Sequence, residues 1–330
     1  MRVVLAVVVA LALAASGLWW LAARALTTGL ENWFAAQTAS GRIASHGRLE
    51  VSGFPGRFAL TIDAISLADP ATGTGWQTSS LHLTSPSYQP WHLTATLPDP
   101  LRVQTPTATI TLTATSLQAD LTLTPLPSLP LDSITLEGHR LRATSSLGWQ
   151  LAADHARLAT KANPTLTNAH DLSLRLTDLA LDPALRAALA RGSDLPARVD
   201  LITIDAVARF SAPLDRYANQ TRPHLTGLTL SHGLIRWGTL TLTASGSLTT
   251  DALGRAEGRI DLAVENWQPA LDAALALGLI RAETAPTLAR ALTLLALQSG
   301  NPRSFDLPLT LHAGLISLGP MPLGPAPLMP

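Results

Sequence analysis

The sequence predicts a mainly β protein: a curved antiparallel sheet, open as a groove or closed as a sandwich, behind an N-terminal transmembrane helix and with a small C-terminal αα-hairpin. Three observations carry this. From about residue 47 onward apolar residues alternate with Thr and Ser, the period of a half-exposed strand. The alternation is strict rather than solidly apolar, which favours antiparallel pairing with one wet face. Residues 3–23, VVLAVVVALALAASGLWWLAA, form one almost unbroken apolar run between Arg2 and Arg24.

About 20 helical residues cross a hydrocarbon core of about 30 Å, so the run is just long enough to span one. Trp19 and Trp20 near its end, and Trp33 beyond, are candidate interfacial aromatics. Ala23-Arg24-Ala25 offers a small-x-small cleavage site, so segment 1–24 reads as an anchor or as a signal. The run exceeds an ordinary signal core, and two bulky Trp residues crowd the cut, so retention is the expectation. A short N-tail before a long body is the signal-anchor layout and places the body outside the cytoplasm.

Residues 25–46 are the expected stalk helix and linker. Leu26, Leu30, Trp33 and Phe34 share one helical face. The β-rich body is expected over 47–330. Its first alternating runs are Phe58-Leu60-Ile62, Leu81-Leu83 and Leu93-Ala95-Leu97. Ile110, Leu112 and Ala114 then share one parity and Leu117, Ala119, Leu121 and Leu123 the other, so a bulge or bend is expected near Ser116. Later runs are Leu172-Leu174-Leu176, Ile202-Ile204, Leu240-Leu242-Ala244, Ile260-Leu262-Val264 and Phe305-Leu307-Leu309-Leu311.

Helices are expected near 182–191, 267–280 and 283–298. Asp182-Pro183 supplies an N-cap and a first-turn Pro for the first, and Asn266 is read as the cap of the second. Gly300 and Pro302 close the third. Asp69-Pro70-Ala71-Thr72-Gly73 and Asp251-Ala252-Leu253-Gly254 are hairpin signals. The tail GPMPLGPAPLMP is expected to be extended and irregular, because Pro cannot donate to a ladder.

Composition narrows the chemistry. With no Cys there is no thiolate metal site, no cysteine catalysis and no lipoprotein anchor. Formal charge is zero with 23 basic and 23 acidic residues, and no basic stripe argues for nucleic acid. Charged residues make up 14%, below the usual quarter, so the surface is rich in Thr, Ser and apolar groups. Nine His residues show no metal-ligand spacing. His170-Asp171 is the one pair that could serve as base and orienter, and it reads better as a loop pair before a strand. No nucleophile elbow or phosphate cradle is present. The expectation is therefore a protein that is not an enzyme, with no catalytic residue, cofactor or metal. A hydrolase with an unrecognised site is the remote alternative.

An ordered set of short motifs resembles a proteobacterial family catalogued as domain of unknown function 2125. They are Gly53-Phe54-Pro55-Gly56-Arg57-Phe58, Asp69-Pro70-Ala71-Thr72-Gly73 with Trp76, and Tyr88-Gln89-Pro90 with His92. Leu147-Gly148-Trp149, Asn168-Ala169-His170-Asp171, Trp237-Gly238, Asn266-Trp267 and Pro322-Leu323-Gly324-Pro325-Ala326-Pro327 complete the set. The resemblance runs the whole length and implies an inner-membrane-anchored envelope protein with no known catalytic residues. More loosely, the β texture and Gly-Pro-rich close resemble AsmA-like envelope proteins, whose periplasmic β-groove is linked to lipid handling.

The expected role is a non-enzymatic lipid-binding or lipid-transfer module of the bacterial inner membrane, single pass, with its C-terminal body in the periplasm. Membrane lipids are the expected partners, with a phospholipid as ligand. Ile110, Leu112, Leu121, Leu123, Leu240 and Leu242 are the candidate groove residues. The alternative is an envelope scaffold whose apolar face is filled by its own side chains and whose surface binds other envelope proteins. Alternation alone serves both.

Overall fold

The computed structural model describes residues 1–192, 194–251, 253–276, 283, 285–298, 303–318 and 321–328. The protein is mainly β, and it divides into two compact units, Met1–Thr124 with Leu136–Gly148 and Pro125–Thr135 with Trp149–Pro330.

The first unit opens with α1 (Arg2–Ala39), one 38-residue helix that merges the expected anchor and stalk. Among the described residues no helix is long and apolar enough to cross a membrane. The side chains at 2, 3, 8, 9, 11 and 12 of the expected span lie outside the described residues. The strands that follow are β1 (Ile43–Ser45), β2 (Leu49–Ser52), β3 (Arg57–Asp69), β4 (Thr74–Pro86), β5 (His92–Thr96), β6 (Leu101–Gln104), β7 (Thr109–Thr113), β8 (Ser116–Leu123) and, from Leu136 onward, β9 (Leu131–Ser145). All pair antiparallel. Asp69 to Gly73 forms the expected hairpin: the Ala71 N–H donates to Asp69 Oδ1 at 2.9 Å, and the Gly73 N–H to the Asp69 carbonyl at 2.9 Å.

This sheet is creased along one line. β1 and β2 pair with opposite halves of β3, and they separate beside Asp63. Ala64 takes φ 48 within β3. β4 pairs with β5 through residues 82–84 and with β6 through residues 75–78. β5 continues to β8, and β6 to β7 and β9. Apolar parity flips across the crease within β3 and β4 and between β7 and β8: Leu60 and Ile62 against Ile65 and Leu67, Trp76 against Leu81 and Leu83, Ile110 and Leu112 against Leu117 and Leu121. A flip in a flat strand would turn half its side chains to water. Here it keeps them on one face, as shown by Phe34, Leu60, Ile62 and Ile65 burying together with Leu67, Trp76, Leu81 and Leu83 packed around them. The bend expected near Ser116 is this crease, and it separates two strands.

The second unit is an up-and-down meander: β10 (Gln150–Ala162), β11 (Ala169–Ala180), β12 (Arg198–Phe210), β13 (Leu225–Trp237), β14 (Leu240–Thr250), β15 (Ala256–Glu265), β16 (Ser304–His312), β17 (Leu315–Leu318) and β18 (Met321–Pro325), each paired antiparallel with the next. Helices interrupt it: α2 (Pro183–Gly192), the short α3 (Ala218–Thr221), α4 (Gln268–Ala276) and α5 (Ala285–Gln298). Asp182 caps α2 as expected, accepting the Ala184 N–H at 2.8 Å. Its other oxygen accepts the Gln150 N–H at 2.8 Å, and these backbone donors hold its carboxyl below the ordinary range. Asp251 shapes the β14–β15 turn the same way, accepting the Leu253 and Arg255 N–H groups at 2.8 Å each.

Two expectations need correction here. Asn266 does not cap α4. It sits at φ 54 and donates its amide to the Thr239 carbonyl at 2.8 Å, while the Trp267 carbonyl begins the helix by accepting from Ala270 and Leu271. Within the described part of the tail the chain is extended as expected but regular: residues 321–325 form β18 against β17, with a bulge beside Ile316. A terminal strand tolerates Pro because its donors on one side need no ladder partner. Residues 277–282, 284 and the stop signal Gly300–Pro302 lie outside the described residues.

The core of the second unit gathers where α2, α4 and α5 meet the sheet. Leu189, Leu195, Leu240, Val264, Trp267, Ala273, Phe305 and Leu307 bury together. Trp267 and Phe305 have ring centroids 6.1 Å apart.

Candidate functional site

The first unit leaves its apolar face partly uncovered. α1 touches the sheet firmly at Phe34, only 6% exposed, which plugs the crease against Ile62 and Ile65. A hollow opens on each side of that plug. The first, about 680 Å³, lies between residues 15–30 of α1 and the half-sheet of β3, β4 and β5. Its walls are Leu18, Trp19, Leu26 and Leu30 on the helix and Phe58, Leu60, Leu83 and Leu93 on the strands. Thr84, Ser85 and Ser87 give it one hydroxyl-lined edge, and no charged side chain among the described residues lines it.

Trp19 closes one end of this hollow. Its ring stacks on Phe58 at 5.5 Å and 10°, and meets Phe54 edge-on at 5.5 Å. Its indole N–H donates to the Arg57 carbonyl at 3.1 Å. The partner strands follow from register. Leu60 faces Leu83, Leu83 faces Ala95, and Ala95 faces Ala119. Leu93 faces Leu121, so Leu121 and, two residues on, Leu123 share the apolar face.

The second hollow, about 670 Å³, lies across the crease under Trp33 and Gln37. Leu67, Trp76, Leu101 and Val103 form its floor, and register carries that floor on: Trp76 faces Val103, which faces Ile110, and Leu101 faces Leu112. Its rim is polar. Arg42 Nη1 donates to Gln37 Oε1 at 2.7 Å, and Arg42 Nε lies 3.3 Å from Asp69.

A family profile, described as an uncharacterized protein conserved in bacteria (domain of unknown function 2125), matches residues 19–327. The chain belongs to this family. Nothing among the curated proteins and nothing among the solved structures matches it. Three of the family motifs named above build the walls just described. Gly53 to Phe58 is the loop that grips Trp19, Tyr88-Gln89-Pro90 lies beside Ser87 at the hydroxyl edge, and Trp76 floors the second hollow.

The six residues expected to line a groove fall in three places. Ile110, Leu112, Leu121 and Leu123 are half-buried on the apolar face of the first unit, outward of the hollow walls. Leu240 is buried in the core of the second unit, and Leu242 packs against that core. Of the aromatics, Trp19 is held by Phe54 and Phe58, Trp20 is exposed with Arg24 5.6 Å over its ring, and Trp33 meets Phe34 at 5.0 Å beside the second hollow. Sequence reasoning passed over Leu83, Leu93, Phe58 and Leu60 as wall residues. Their signal was the parity flip on β3 and β4, which matches the one read at Ser116.

His170 and Asp171 point elsewhere than at each other. Asp171 accepts from Asn163 Nδ2 at 2.6 Å. His170 is 5% exposed, beside Phe210, with Nδ1 lacking a hydrogen-bond partner. Burial pushes its pKa below the ordinary value, against the opposing pull of Asp171 and Asp132. A base needs an orienting partner, and this imidazole lacks one on Nδ1.

Proposed function

We propose that the protein is a membrane-anchored, non-enzymatic module that binds the hydrocarbon part of an envelope lipid in the hollow beneath α1. The observation that carries this reading is a concave site of about 680 Å³ walled by Leu, Phe and Trp, with hydroxyls at one edge and no charge among the described residues. Sites of this size and polarity suit small apolar ligands. A methylene fills about the volume of a water, roughly 30 Å³, so the hollow takes about 20 such groups, the size of one acyl chain. A chain left in water would forgo about 0.8 kcal/mol per methylene, so a lipid moving out of a bilayer needs an apolar wall of this kind to keep that gain.

The anchor belongs to the same reading. Residues 15–22 of α1 form both the end of the apolar run and one wall of the hollow. A lipid that leaves a bilayer beside α1 meets the hollow directly. The body then lies outside the cytoplasm, in the periplasm of a bacterial inner membrane, as the loose AsmA-like resemblance also suggests. Native mass spectrometry of the detergent-extracted chain tests this. The expected spectrum carries an adduct of one lipid mass. A spectrum of bare protein under conditions that preserve other lipid complexes would refute the reading and favour an envelope scaffold.

A further inference from the structure

We infer that the first unit carries a second membrane contact, formed by the loops at residues 53–58 and 86–91, which seats in the headgroup layer of an anionic bilayer and holds the mouth of the hollow at the lipid surface. This rests on α1 being a membrane anchor and adds a claim about the body itself.

The loops are tied to the helix at a definite height. Trp19, four residues before the apolar run ends at Ala23, is stacked on Phe58, edged by Phe54 and bonded to the Arg57 carbonyl. Loop 53–58 therefore sits level with the Trp pair, where amphipathic rings favour the interface. The second loop is latched to the first. Ser87 Oγ donates to the Pro55 carbonyl at 2.7 Å, and the Ser87 N–H to the Gly56 carbonyl at 3.1 Å.

What these loops present is unusual for a water-facing turn. Phe54 is 52% exposed and Tyr88 74%, and Trp20, next to Trp19 on α1, is 57% exposed. Large exposed aromatics on two latched loops mark an interaction surface more than scattered apolar residues do. The charge on the loops and on the last turn of the apolar run has one sign. Arg24 and Arg57 are exposed, and neither loop contains an acidic residue. Exposed Arg beside aromatic rings matches phosphate headgroups above acyl tails, because basic residues near an anionic surface are drawn to it. Continuity with the apolar run of α1 names the occupant as bilayer rather than protein.

The chain has no Cys, so single-Cys variants report one position each. The full-length protein, labelled with a nitroxide at Leu13→Cys, Phe54→Cys, Tyr88→Cys or Leu147→Cys, is reconstituted in phosphatidylethanolamine–phosphatidylglycerol vesicles. Collision with oxygen against a water-soluble nickel chelate gives the depth of each label. The inference expects Leu13→Cys deep in lipid, Phe54→Cys and Tyr88→Cys at the interface, and Leu147→Cys, an exposed hairpin position of the same unit, in water. Labels at 54 and 88 as water-accessible as the one at 147, with 13 still in lipid, overturn the loop contact and leave the anchor standing. A label at 13 in water overturns both. Charge is tested separately: Arg24→Gln with Arg57→Gln should move the labels at 54 and 88 toward water, and unchanged depth would remove the anionic headgroup from the account.

Discussion

The two units spend similar apolar alternation on opposite ends. In the second, the meander brings Leu240, Val264, Phe305 and Leu307 against the helices inserted in it, α2, α4 and α5, and the face is filled. In the first, a creased sheet meets a single helix that packs on it at Phe34 and at Trp19, and a hollow remains on either side of Phe34. The lesson is that alternation specifies a face but not its cover. Cover depends on how many elements return to that face. In the second unit three of the inserted helices, α2, α4 and α5, do this, and the first has one long helix that enters from the N-terminus.

The sharpest way to break this contrast is to put the same charge in both faces. Leu240→Asp buries an unpaired carboxylate in the filled core, costing several kcal/mol. The second unit should lose protection in hydrogen exchange. Leu83→Asp, in the wall of the hollow, leaves the charge hydrated, so the melting temperature should move little while lipid adducts vanish. Equal unfolding by both would mean the first unit is packed too.

A milder cut refines the packed side. Leu189 is 2% exposed, and Leu189→Ala should cost about 2–5 kcal/mol in a denaturant titration. Leu93→Ala only enlarges a hollow that already exists and should cost visibly less.

Acid offers a smaller effect. Burial lowers the folded pKa of His170 below the unfolded value of about 6.5, against the pull of Asp171 and Asp132. Its contribution is present above that value and is lost as pH falls through the lowered folded pKa, because the unfolded chain binds the proton first. Stability should therefore decline as pH drops below about 6.5, and His170→Leu should flatten that slope. Because Nδ1 has no partner to forfeit, the variant should not be much less stable at neutral pH. An unchanged slope would assign the acid sensitivity to other groups.

The smallest change expected is at the wet face of β7. Thr111→Asp should be mild, because register puts Thr111 opposite Arg102 on the face away from Ile110 and Leu112. A loss as large as that of Leu112→Asp would mean the register is wrong.

Much of this was legible. Period-two runs located β3, β4, β5, β7, β8, β11, β12 and β14 to β16, and Asp182 and Asp251 gave the α2 start and the β14–β15 turn. β10 escaped because its inward positions are small, as in Ala153, and carry little hydropathy contrast. Asn266 misled because a positive-φ Asn beside a helix start can bond across to a neighbouring strand end, here Thr239, rather than cap. The hollow was only half legible. Its face could be read from Ile110, Leu112, Leu121 and Leu123, but where α1 lands on that face depends on Trp19 finding Phe54 and Phe58, a contact between positions almost forty residues apart.

The most direct test of the central claim, that the first unit holds one acyl chain where the second is filled, is saturable binding of a fluorescent single-chain lipid to the full-length protein. Leu93→Trp should plug the hollow and abolish binding without lowering the melting temperature. Ile204→Trp, at an exposed apolar position of the second unit, should leave binding at the wild-type level. Unchanged binding in Leu93→Trp, or loss in Ile204→Trp alone, would contradict the account.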